Sequence, residues 1–143
     1  MDQRLTLLTL GVRDVDAARR FYLDGLGWTP TLDLPDVLFL QVAPGMVLSF
    51  FGATALAEDI GVRDAPTAQG VTLAHNVDSE GEVDVVVARA VAAGATLLKE
   101  PQRAEWGGYS GYVEDPCGVR WEVAHNPGLV VDADGAVRMG TAG

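Results

Sequence analysis

The stretch Leu8-Thr9-Leu10-Gly11-Val12 alternates apolar side chains with small or polar ones, and Leu73-Ala74-His75-Asn76-Val77 does the same further along the chain. A period of two marks a strand with one buried face. Each run ends in valine and meets a helix-capping side chain two residues on, Asp14 in the first case and Ser79 in the second. After Asp14 the pattern changes to a helical one: Val15, Ala18, Phe21, Tyr22 and Leu26 form a stripe that stops at Gly25 or Gly27. After Ser79, Glu82 completes a capping box, and Val83, Val86, Val87, Ala90 and Val91 line the apolar face of a helix that stops at Gly94. The β-branched run Val85-Val86-Val87 would suit a strand, but the cap and the alanine-rich continuation outweigh it.

Three short strands are predicted after each helix. In the first half they span residues 29–34, 37–42 and 46–51, separated by turns at Pro35-Asp36 and Pro44-Gly45. In the second they span 96–99, 109–114 and 120–125, the last two joined by Asp115-Pro116-Cys117-Gly118, a type I turn signature. Each half therefore reads βαβββ. We place a first module at 1–52, a linker at 53–69 with a short helix over 53–59, and a second module at 70–127. The tail at 128–143 carries a small hairpin around Asp132-Ala133-Asp134-Gly135.

Composition narrows the function. In 143 residues, 20 acids against 10 bases leave a net charge of -10, which argues against nucleic acid as a partner and disfavours anionic membrane surfaces. No apolar run reaches the length of a membrane span. Thr6, Thr9 and Gly11 interrupt any signal-like run at the N-terminus, and the single cysteine, Cys117, forbids an internal disulfide. A cytoplasmic protein is expected.

Three further stretches carry a resemblance. They are Val12-Arg13-Asp14-Val15 leading to Phe21-Tyr22-Leu23-Asp24-Gly25-Leu26-Gly27-Trp28, then Gly107-Gly108-Tyr109-Ser110-Gly111-Tyr112, then Glu114-Asp115-Pro116-Cys117-Gly118 followed by Trp121-Glu122-Val123. With the repeat, they resemble the vicinal oxygen chelate superfamily of glyoxalase I, bleomycin resistance proteins and extradiol dioxygenases, over about residues 4–127. The resemblance implies an α+β fold in which the sheets of two tandem βαβββ modules form a U-shaped cleft with helices outside, and a homodimer. In metal-using members it implies a divalent ion on four side chains, which map to Leu7, Ser49, Thr72 and Glu122. Only Glu122 is a strong ligand there, so neither a metal nor any other cofactor is expected. Strand parity turns His75 and His125 away from the side on which Glu122 would lie.

The same parity selects a lining of Leu7, Thr9, Val47, Ser49, Phe51, Thr72, Ala74, Asn76, Glu122 and Ala124, with Trp106, Tyr109 and Tyr112 beside it and only some of those three facing inward. Trp106, before Gly107-Gly108, is either a movable stacking residue or a plain core aromatic. Glu122 is open to three roles: a structural hydrogen-bonding group, an anchor for a cationic or donor group of a ligand, or a general base. The expected function is metal-free binding of a small cationic or aromatic organic molecule, for sequestration or resistance. The alternatives are a divalent-metal-dependent lyase, isomerase or dioxygenase, and a metal-free acid–base enzyme using Glu122.

Overall fold

The structure is a computed structural model that describes residues 6–61, 63, 71–105 and 107–139. The chain divides into two compact units, residues 1–70 and 71–143. In the first, β1 (Leu7–Val12) leads into α1 (Val15–Ala18), and then come β2 (Leu32–Leu34), β3 (Val37–Ala43), β4 (Met46–Gly52) and α2 (Ala53–Ile60). The second holds β5 (Thr72–Asn76), α3 (Glu80–Ala92), β6 (Thr96–Arg103), β7 (Tyr109–Glu114) and β8 (Arg120–His125), then a hairpin of β9 (Leu129–Val131) and β10 (Val137–Met139). The main sheets run in the orders β1-β4-β3-β2 and β5-β8-β7-β6. In each, the first strand pairs in parallel with the last and the remaining pairs are antiparallel. The fold is α+β with two βαβββ modules, and the common strand order is the structural form of the repeat. Among the described residues, no helix is long and apolar enough to cross a membrane.

Both helix starts are capped by the side chains that mark them in the sequence. Asp14 accepts from the Ala17 amide at 3.1 Å, and Ser79 Oγ accepts from the Glu82 amide at 3.3 Å. Glu82 reaches back to the amide of Asp78 at 3.0 Å, one residue before the cap itself.

The first helix departs from the expected form. It runs as α-helix for one turn and then continues over Arg19–Gly25 as a π-helix, closing with Leu26 N to Phe21 O at 2.9 Å. The wider winding suits the apolar spacing, because Phe21 and Tyr22 are both buried and Leu26 follows Phe21 by five positions. Tyr22 is the centre of an aromatic cluster, with ring centroids 4.9 Å from Phe21, 5.1 Å from Trp28 and 4.5 Å from Phe50 of β4. That last contact identifies the face of the first sheet on which the helix packs. Arg19 ties the same helix to β2 through Asp33 at 2.7 Å and the Leu34 carbonyl.

In the second unit α3 packs on β6, β7 and β8. Val83, Val87 and Ala90 of the helix are buried, as are Val113 and Val123 of the sheet. The β7–β8 turn is held by buried Asp115, whose Oδ1 accepts from the amides of Cys117 and Val119, each at 2.8 Å. Strand β6 runs four residues beyond its expected end, through Pro101. It is an edge strand and shifts register between Leu97 and Lys99 and again between Lys99 and Gln102. A Cβ on Gly111 of β7 would stand 3.0 Å from the Lys99 carbonyl and 3.0 Å from both the nitrogen and Cγ of Pro101. Two of those three atoms are backbone, so Gly111→Ala is expected to destabilise the protein by about 1–3 kcal/mol. A urea unfolding midpoint unchanged from wild type would refute this.

Candidate functional site

Because one face of each sheet is taken by helices, the other, open face is the candidate for function. In the first sheet Leu48, Leu40, Leu10, Phe50 and Leu38 are buried beneath the helices. One residue out of phase with them, the open face carries three cross-strand rows. The middle row is Thr9, Ser49, Phe39 and Leu32; Leu7, Val47 and Gln41 lie on one side of it, and Gly11, Phe51, Val37 and Leu34 on the other. At these described positions there is no ionisable side chain. Ser49 has no solvent exposure, and its Oγ is buried without a hydrogen-bond partner.

The open face of the second sheet has a different chemistry. Its middle row is Ala74, Glu122, Tyr112 and Lys99. Tyr112 stands directly across the sheet from Glu122, and Lys99 Nζ sits 5.8 Å from the centre of the Tyr112 ring. Burial first, and then the neighbouring Glu122 carboxylate, push the Tyr112 phenol above its usual range. On one side lie Thr72, Arg120, Glu114 and Thr96, with an Arg120–Glu114 ion pair at 3.1 Å; on the other lie Asn76, Ala124, Ser110 and Gln102. This face is polar and carries both signs of charge.

The residues named from sequence therefore separate into two groups. Leu7, Thr9, Ser49 and Phe51 share the open face of the first sheet, and Thr72, Ala74, Asn76, Tyr112 and Glu122 share that of the second. Tyr109 stands on the helix side, where its hydroxyl donates to Asp84 of α3 at 2.8 Å, a bond that raises its pKa. Trp106 lies outside the described residues. His75 and His125 occupy rows of the helix side, and Nδ1 of His125 is 3.3 Å from the Val77 carbonyl. Sequence reasoning missed Phe39 and Lys99, which face Ser49 and Tyr112 directly. Alternation in β3, with Leu38 and Leu40 inward, carried a signal for Phe39. The bulges in β6 left none for Lys99.

At the four positions to which the resemblance maps a metal ion, Leu7 has no donor atom, Ser49 and Thr72 offer neutral hydroxyls, and Glu122 is a carboxylate. Among the described residues no group of three or more His, Cys, Asp or Glu is placed to hold an ion.

The Tyr112–Glu122 pair can be tested directly by ultraviolet titration in a Tyr109→Phe background. Glu122→Gln is expected to move the Tyr112 ionisation to lower pH, since the carboxylate favours the neutral phenol. The return will be partial, because burial, the larger cause, stays. An unmoved titration would remove the influence of Glu122 on the phenol.

Comparison with known proteins bears on this geometry. The model of the Glyoxalase/Bleomycin resistance protein/Dioxygenase superfamily matches residues 4–123, and the chain belongs to that superfamily. Among solved structures, a glyoxalase-related enzyme from Fulvimarina pelagi is 41% identical, with 97% of this chain and 99% of that one covered at a TM-score of 0.89. A glyoxalase/bleomycin resistance protein/dioxygenase from Nocardioides is 27% identical, with 91% of each chain covered and a TM-score of 0.74. A lactoylglutathione lyase from Agrobacterium tumefaciens is 26% identical, covering 87% of this chain and 95% of its own, with a TM-score of 0.70. No curated protein matches the chain.

Proposed function

We propose that this protein binds a small organic molecule without a divalent metal, as a sequestration or resistance protein of its superfamily. One observation carries the reading: of Leu7, Ser49, Thr72 and Glu122, the side chains to which the family resemblance maps a metal ion, only Glu122 is a strong ligand. A half-exposed carboxylate at Glu122 beside an aromatic ring suits a cationic or hydrogen-bond-donating group. On the same open face as Glu122, Tyr112 offers a ring for aromatic contact. In this reading the protein is a cytoplasmic homodimer.

The test is calorimetric binding of a panel of cationic glycopeptides, aromatic antibiotics and aromatic ammonium compounds, with and without a chelator, alongside metal analysis of the purified protein. Chelator-insensitive binding by metal-free protein is expected. A stoichiometric divalent ion that disappears in Glu122→Ala would overturn the reading. Sedimentation at the mass of one chain would remove the dimer.

A second reading rests on the Fulvimarina pelagi relative, which is described as an enzyme. Glu122, opposite Tyr112 across the sheet, would then serve as a general base or as part of a metal site. Turnover of hemithioacetals or catechols, lost in Glu122→Gln, would favour it.

A further inference from the structure

We infer that the open face of the first sheet recognises an uncharged aromatic ligand through a hydrogen bond from Ser49 Oγ to a carbonyl or similar acceptor. The inference deepens the ligand-binding reading and rests on it.

Ser49 is 0% exposed, and its hydroxyl has no partner. Buried polar groups are paired almost without exception, and an orphan costs free energy that an apolar residue of similar size would not. The hydroxyl carries one donor hydrogen that rotates to suit its partner, and the partner we assign to it is an acceptor. The rest of the face says what carries that acceptor. Ser49 is flanked across the sheet by Thr9 and Phe39 and along β4 by Val47 and Phe51, all half-buried. These side chains are larger than the serine between them, and partly exposed rotamers rearrange on fast timescales, so a ligand reaches Oγ by parting side chains and not backbone. The two phenylalanines offer ring faces for stacking. With no ionisable group at these positions, a charged ligand would be desolvated here without compensation. A neutral, flat, mostly apolar molecule with one acceptor fits.

The experiment uses 2-acetylnaphthalene and 2-ethylnaphthalene, which differ in the carbonyl, on the full chain. Wild type is expected to bind the ketone about fivefold more tightly, the effect of one neutral hydrogen bond. Ser49→Ala is expected to keep the hydrocarbon's affinity and lose the preference. It is also expected to melt at or above the wild-type temperature, because it removes an unsatisfied hydroxyl. Three results overturn the proposal: neither naphthalene binds, the preference survives in Ser49→Ala, or Ser49→Ala melts lower, which would mean the hydroxyl is already satisfied. Aromatic ammonium compounds run in parallel separate this outcome from failure of the broader reading. If they bind while the naphthalenes do not, the Ser49 site falls and ligand binding stands; if nothing binds, both fall.

Discussion

Replacing Phe50 with alanine is expected to cost about 3–5 kcal/mol of stability, whereas Phe51→Ala, one residue along the same strand, should cost less than half as much. The difference comes from parity alone. Phe50 has no solvent exposure and its ring lies 4.5 Å from that of Tyr22, so its loss opens a cavity under the helix that the close-packed core fills only in part. Phe51 is half-buried on the open face and pairs with Val37 and Gly11 across the sheet. Its removal strips apolar surface from the side on which the ligand is proposed to bind, so its cost should appear in binding. Urea unfolding of both variants checks the first part. Equal losses in the two would mean that both faces are core, and the division into a structural and a functional face would be wrong for this module.

That division was legible in the sequence wherever local chemistry determines it. Asp14 and Ser79 are capping residues because their side chains satisfy amides two or three residues on, and no distant contact is needed. Alternation in Leu8–Val12 and in Leu73–Val77 put alternate residues on opposite faces, and the repeat required two copies of one topology. Features that depend on other elements were not legible. The π winding over Arg19–Gly25 arises where consecutive Phe21 and Tyr22 are both buried, and Tyr22 there meets Phe50 of a strand later in the chain. β6 continues through Pro101 because it lies at an edge, a fact of strand order and not of composition. β2 begins at Leu32 and not at residue 29; the amide and hydroxyl of Thr31 both go to the Phe39 carbonyl just before the ladder starts. Two site features were within reach. Tyr109 and Tyr112 are three apart on one strand, so they must face opposite ways. The turn that pairs Glu114 with Arg120 also sets Tyr112 opposite Glu122.

The Tyr112–Glu122 pairing leads to the largest functional effect expected here. Glu122→Gln should weaken binding of an arylalkyl ammonium ion by about 10- to 100-fold, the range of a charge-assisted hydrogen bond of about 1.5–3 kcal/mol. The uncharged alcohol analogue should bind the two proteins alike, because glutamine keeps an acceptor oxygen and nearly the same shape. Added salt should narrow the gap, since Glu122 is half-exposed and the attraction is screened. Lys99 works against this attraction from the far side of Tyr112, so Lys99→Met should strengthen ammonium binding modestly while leaving the alcohol unchanged. A Glu122→Gln variant that weakened ammonium and alcohol equally would show that the carboxylate only shapes the sheet. One that weakened neither would take the acid out of ligand recognition.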